Sequence, residues 1–321
     1  MTTRNLSFVA VLTVVAALAT PANAQALAAR AQAAPAKAAA QKSYSTAEEA
    51  AKALAEAVRA ADIQAFLEVI GPASKSWIFS GDKVADAAAW KRFLELYDKK
   101  NALVKEGDAK AILTVGEDAW PFPAPLVRKG DRWMFDTAAG KEEVLRRRIG
   151  RNELDTIQTL LAIVDAQREY AAGDRDRDGF HDYARRFIST AGKKDGLYWA
   201  AKPGEPPSPL GPLVGEAAKK GYAAEPAAGQ SKPYNGYLFR MLTAQGKDAA
   251  GGAYDYLVKD KLIGGFAILA SPAKYGNSGV MSFIVNHDGV VYEKDLGAAT
   301  AAEAAKIMRF NPDQTWKKSQ Q

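Results

Sequence analysis

Lys129-Gly-Asp-Arg-Trp-Met-Phe-Asp136, together with the run that follows it, decides the fold. Gly130 and Asp131 fit a tight turn between two short strands, because both tolerate the positive dihedrals that such a turn demands. Upstream, strands are predicted at Ala102–Lys105, Ala109–Val115 and Pro125–Arg128, and Arg132–Asp136 closes the meander. From Lys141 the period changes. Leu154, Ile157, Leu161 and Val164 recur at helical spacing as far as Tyr170, with a kink expected at Gly150. A meander running into one long helix divides the chain into two parts.

Before the meander the pattern is helical. Ser45-Thr-Ala-Glu48 is a capping box, in which hydroxyl and carboxylate satisfy free amides at a helix start, and Leu54 and Val58 then place a helix over Glu48–Ala60. A second runs over Ile63–Ile70 and stops at Gly71-Pro72. A third, from Ala85 to Tyr97, carries Trp90, Phe93, Leu94 and Tyr97 on one side. Helices followed by antiparallel strands predict an α+β domain with the helices on one face of a curved sheet. The Ala61-Asp62-Ile63 step between helices and the closing Gly130–Asp136 strand make residues 44–137 resemble NTF2-like domains.

The second part is also α+β. After the long helix come a polar loop at Gly173–Asp182, a Pro/Gly-rich stretch at Pro203–Pro212 and a short helix ending near Lys220. Strands are predicted near Gly236–Thr243, Tyr254–Val258, Ile263–Ala270, Val280–Asn286 and Val290–Asp295, with Met281, Phe283 and Val285 on one face. Asn286-His-Asp-Gly289 is a hairpin signal. A last helix is expected with Thr300 as cap and Glu303 three residues on. The long helix, glycine-rich loop and small sheet resemble a type IV pilin or pseudopilin globular domain, carried by Ala166-Gln-Arg-Glu-Tyr170, Gly236-Tyr-Leu-Phe-Arg240, Ala270-Ser-Pro272 and Phe283–Val291. A pilin shows an apolar helix at its mature N-terminus. Here a whole domain precedes an amphipathic helix, which argues against fibre assembly by the usual route.

The N-terminus points to export. Arg4, an apolar stretch from Leu6 to Leu18 and the small-residue pattern Ala22-Asn23-Ala24 form a secretory signal over residues 1–24, with cleavage after Ala24. The stretch is shorter than the ~20 residues that span a bilayer. Residues 25–43, rich in Ala, Gln and Lys, are expected to form a disordered linker. The expected organisation is therefore signal 1–24, linker 25–43, an NTF2-like domain at 44–140 and a pilin-like domain at 141–321, released to the periplasm without a membrane span.

Removing Arg4 lowers the formal charge from +6 to +5, with the cations scattered, so nucleic acid is not an expected partner. The tight cluster Arg146-Arg147-Arg148 with Arg151 lies among Glu142, Glu143 and Glu153 and reads as a solvated helical face, or else as a surface for an acidic partner. The chain has no cysteine, which excludes disulfides, thiol chemistry and a lipid-modified cysteine.

As a whole, residues 42–316 resemble a family of exported Gram-negative bacterial proteins, the domain of unknown function DUF2950. The carriers are Asp118-Ala-Trp-Pro-Phe-Pro123, Phe135-Asp-Thr-Ala-Ala-Gly-Lys-Glu-Glu143, Arg148-Ile-Gly-Arg-Asn-Glu153, Asp195-Gly-Leu-Tyr-Trp199 and Tyr275-Gly-Asn-Ser-Gly-Val-Met281. The resemblance implies export and a two-part architecture, and it brings no reaction with it.

The sharpest local chemistry is Asp174-Arg-Asp176-Arg-Asp178-Gly-Phe180-His-Asp182. Alternating carboxylates around a glycine turn offer hard oxygen ligands to one centre, so Asp174, Asp176, Asp178, the Phe180 carbonyl and Asp182 are a candidate structural Ca²⁺ site. Twelve residues from Asp174 end at Arg185 instead of a bidentate Glu, so a solvated, helix-capping loop is the rival reading. The two histidines, His181 and His287, are too few for a histidine-rich metal site and have no visible triad partners. Trp120-Pro-Phe122-Pro and Tyr198-Trp199 line a peptide or sugar groove or cover a core edge. The expected function is a non-enzymatic binding or assembly module of the cell envelope or a secretion system; the alternative is a carboxylate-dependent hydrolase using a pocket of the N-terminal domain.

Overall fold

The computed structural model describes residues 40–175, 179–222 and 232–320; the expected signal peptide and the linker up to residue 39 lie outside the described residues. Gln41, at the expected linker end, donates from Nε2 to the carbonyls of Val69, Ile70 and Phe135 at 3.3, 3.0 and 2.8 Å. Four short polar residues then set the helix starts. Thr46 caps α1 (Ala47–Arg59), accepting from the Glu49 amide at 3.1 Å while Glu49 accepts from the Ser45 amide at 3.0 Å. The box thus lies one residue later than Ser45–Glu48 predicts. Asp62 caps α2 (Ile63–Ile70), which stops at Gly71 (φ 112°), where a Cβ would fall 2.3 Å from Thr137 Oγ1. A 3-10 turn (Pro72–Ser74) and the single turn α3 (Lys75–Ile78) lead to α4 (Lys83–Lys99), capped by Asp82.

Strands β1 (Asn101–Lys105), β2 (Lys110–Val115), β3 (Trp120–Pro121), β4 (Leu126–Lys129) and β5 (Arg132–Phe135) form an antiparallel sheet in the order β1-β2-β4-β5, with β3 on β2. Lys129 pairs with Arg132 across the Gly130-Asp131 turn. Leu113, Val115, Leu126 and Phe135 meet Leu54, Phe66, Ile70 and Phe93 in the first core.

Asp136 leaves the strand and accepts from the Ala138 and Ala139 amides, both at 3.1 Å. Helix α5 therefore starts at Thr137, not at Lys141, and runs through Gly150 to Ala171 as 35 helical residues, about 50 Å long at 1.5 Å per residue. Its first turns, through Val144 and Leu145, pack on the first core; Ile157, Leu160, Ile163, Val164 and Tyr170 belong to the second.

The second sheet consists of β6 (Tyr237–Leu242), β11 (Ala267–Pro272), β12 (Met281–Asn286), β13 (Tyr292–Asp295) and β14 (Lys317–Lys318), all antiparallel, in the order β14-β13-β12-β11-β6. Helix α6 (Gly211–Lys219) precedes it, and two small pairs flank it: β7 (Ala244–Gln245) with β8 (Tyr254–Asp255), and β9 (Leu257–Val258) with β10 (Lys261–Leu262). Strand β11 begins at Ala267, later than Ile263 predicts, because Gly265 (φ 140°) passes His287 so closely that a Cβ would lie 2.5 Å from Nδ1. Every residue of β11 is buried. Ile268 and Ala270, with Phe283 and Val285, face α5; Ala267, Leu269 and Ile284 face Ala304 of α7 (Thr300–Lys306) and Phe310. Thr300 does not cap that helix as expected: it is the first helical residue, and its hydroxyl donates to the Gly297 carbonyl.

The class is α+β, with seven helices and antiparallel sheets among the described residues. Residues Ala40–Gln321 fall in one compact unit. Among the described residues, no helix is long and apolar enough to cross a membrane.

Candidate functional site

A cavity of about 150 Å³ opens in the first core between α2, α3, α4, the β3 segment and α5. Its walls are chiefly Phe66, Trp77, Trp90, Phe93, Trp120 and Phe122. The rings brace one another: Phe66 meets Trp90 edge-on at 4.7 Å, and Phe93 lies 5.3 Å from Phe122. Trp90 and Phe93 line the space from α4. Trp120 is 41% exposed at its margin, where the Arg147 guanidinium stacks 4.6 Å above the ring and Nη1 donates to the Pro121 carbonyl at 2.8 Å. Of the two aromatic stretches singled out in the sequence, Trp120-Pro-Phe122-Pro lines this cavity, while Tyr198 and Trp199 pack on the second core.

Two charged side chains complete the lining, Asp86 from α4 and Arg148 from α5. Asp86 accepts from the Ser80 hydroxyl at 2.8 Å and from the Ser80 amide. Burial pushes its carboxyl above the usual range, against the pull of the Ser80 bonds and of Arg148. Arg148 donates from Nη1 to the Trp77 carbonyl (2.8 Å) and to Asn277 Oδ1 (2.5 Å), and from Nη2 to the Ile78 carbonyl (2.9 Å). Burial lowers the pKa of this guanidinium, and Asp86 opposes the shift. The solvated-face expectation for the arginine cluster is thus corrected at Arg148. Helical rotation of about 100° per residue turns it inward, while Arg146 and Arg147 stay on Glu143.

Arg148 also belongs to a polar joint between the two parts of the chain. Asn152 donates to the Ser278 carbonyl at 2.8 Å, and Glu153 Oε1 accepts the Val280 and Met281 amides at 2.9 and 3.0 Å. Asn277 Nδ2 donates to the carbonyls of Ser76 and Phe79, and Lys274 to that of Ser76. Nearby, Asp82 is 2% exposed and fully engaged: Oδ1 caps α4, while Oδ2 accepts from the Tyr222 hydroxyl (2.7 Å) and the Gly236 amide (3.2 Å). One and a half turns of α5 therefore grip the β11–β12 loop.

A family described as "Protein of unknown function (DUF2950)" has a model that matches residues 41–319. The chain belongs to this family. No curated protein and no solved structure matches the chain, so the NTF2-like and pilin-like resemblances stand on element order and strand motifs alone. Two stretches that carry the family resemblance, Arg148–Glu153 and Tyr275–Met281, are the two sides of the joint, and a third, Asp118–Pro123, borders the cavity.

The candidate calcium ligands lie elsewhere, beyond the C-terminal end of α5. Asp176 and Asp178 are outside the described residues. Asp174 Oδ2 accepts from the Gly179 amide at 2.8 Å, Phe180 is 53% exposed with the Lys261 ammonium 5.7 Å from its ring centre, and Arg175 donates to the carbonyls of Glu169 and Tyr170. Among the described residues, no three His, Cys, Asp or Glu side chains converge as a metal site would require. His181 Nδ1 sits 3.2 Å from the Ala171 carbonyl; His287 packs edge-on against Tyr256 and Phe266. The meeting of Asp86 and Arg148 in one lining has no signal in the sequence, since the two lie on different helices with the whole first sheet between them.

Proposed function

We propose that this chain is a non-enzymatic binding module exported to the periplasm, serving the cell envelope or a secretion system, and that it holds a compact apolar group in the aromatic cavity. The cavity itself carries the reading: six aromatic side chains line about 150 Å³ of space partly open to solvent, a concave, largely apolar surface of the kind that small ligands occupy. An apolar void of that order in another protein accepts a benzene-sized guest. The secretory pattern at residues 1–24 supports the location. Hydrolysis by a carboxylate pair is the weaker reading, because such chemistry needs two carboxylates across the bond and Asp86 is the single acidic residue of the lining. Structural Ca²⁺ on Asp174, Asp176, Asp178, Phe180 and Asp182 remains part of the proposal, supported by the alternation of carboxylates around Gly179.

Titration with toluene, indole and p-cresol, followed by thermal unfolding, tests the cavity. At least one should raise Tm, by more the higher its concentration relative to Kd, and Ala89→Trp, which extends a ring from the lining, should abolish the rise. A protein indifferent to all three contradicts the reading.

A further inference from the structure

The two charged residues of the lining narrow the class of ligand, on the basis of the binding reading above. Arg148 uses three of its five N–H groups on the Trp77 and Ile78 carbonyls and Asn277. This leaves Nε–H and one Nη2–H without an acceptor among the described residues. Those three bonds also fix the guanidinium, so little rotamer freedom remains to be lost when a ligand arrives. Asp86 is held in the same way by Ser80, and a carboxylate oxygen that accepts one or two bonds retains lone pairs for another donor. The two groups sense each other's charge but are not joined as an ion pair. A carboxylate and a guanidinium thus both border an apolar chamber, each held by hydrogen bonds of its own.

The charge pattern selects among ligands. A simple carboxylate would satisfy Arg148 but bring a like charge to Asp86, and a simple amine would do the reverse. A neutral apolar molecule would fill the chamber while adding nothing for either charge. A compact zwitterion answers both. We infer that the cavity binds a free α-amino acid with a small apolar side chain, its ammonium on the Asp86 carboxylate, its carboxylate on the remaining N–H groups of Arg148, and its side chain among Phe66, Trp90, Phe93 and Phe122. The size agrees: a chamber of about 150 Å³ suits a branched aliphatic side chain better than an indole, given that a benzene-sized body occupies a void of roughly this volume.

The test is calorimetric titration of the purified protein with leucine and methionine, beside three analogues of leucine: 3-methylbutylamine without the carboxylate, 4-methylpentanoate without the ammonium, and 3-methylbutan-1-ol without either charge. The amino acids should bind at least tenfold tighter than every analogue. Asp86→Asn should weaken leucine about tenfold while leaving 4-methylpentanoate equal or tighter, because the like charge has gone; the unfolding midpoint of the variant confirms that it is folded. If the alcohol binds as tightly as leucine, and Asp86→Asn changes neither, the cavity is a site for apolar groups and the zwitterion assignment is wrong. If no compound binds, toluene and indole included, both this inference and the binding reading fall.

Discussion

The two sheets of this chain bury apolar surface in different ways. The second is covered on both faces: β11 has no exposed residue, with α5 and its neighbours on one side and α7 with Phe310 on the other. The first is covered on one face only, and its core leaves a cavity, partly open to solvent, among Phe66, Trp90, Phe93 and Phe122. On the proposed reading, the second part is the scaffold and the first keeps room for a guest. Helix α5 belongs to both cores, and Arg148 stands where they meet.

The contrast can be broken by truncation. Phe283→Ala in the filled layer, where the ring is 1% exposed, should cost about 3–5 kcal/mol by denaturant titration. Phe122→Ala beside the chamber should cost less than half of that, since the ring already borders empty space. Equal losses would mean that the first core is as tightly filled as the second. Next in size, Arg148→Met leaves the Trp77 and Ile78 carbonyls and Asn277 without their donor and should cost on the order of 3 kcal/mol. It should also make cleavage by a protease within 75–83 faster. A variant as stable and as resistant as the parent would show that the joint does not bind the two parts together.

A smaller effect concerns pH. Burial raises the Asp86 carboxyl, so the folded protein takes up this proton more readily than the unfolded chain does. The strain of its ionised form is present at neutral pH and is relieved as pH falls through the raised value towards the ordinary ~3.9. Within that window Asp86 adds stability as acid is added, opposite in sign to a salt-bridged carboxylate. The charged groups facing it are Arg148 from α5 and Asp82 from its own turn. Subtracting the unfolding free energies of Asp86→Asn from those of the parent across pH 4–7 should give a curve that rises towards acid; a curve falling towards acid contradicts the burial of this group. Smallest is the calcium expectation: after chelation, added Ca²⁺ should raise Tm by a few degrees and Asp176→Ala should abolish the rise. An unmoved Tm removes the site.

Much of the framework was legible in the sequence because local chemistry determined it. The Gly130-Asp131 turn, the meander around it and the switch to helical period all lie within a few residues of their causes, as does the Asn286–Gly289 turn. Errors gathered at ends: Asp136 reads as the last residue of a strand by hydrophobic alternation, yet serves as a helix cap, and Ser45 and Thr46 compete for one role. The site was hidden for a different reason. Asp86 and Arg148 are brought together only when α4 and α5 pack across the first core, and three consecutive arginines give no sign of which will turn inward. Trp120 and Phe122 were visible as candidates through their flanking prolines, and Arg148 only as one member of a basic cluster.

The claim on which the rest depends is that the chamber among Phe66, Trp90, Phe93 and Phe122 admits a guest. Crystals of the protein equilibrated with xenon test it most directly, because xenon settles in apolar cavities. The account predicts a xenon peak inside the chamber, lost in Ala89→Trp. Crystals with xenon only at other positions, or with those rings collapsed onto one another, would contradict it.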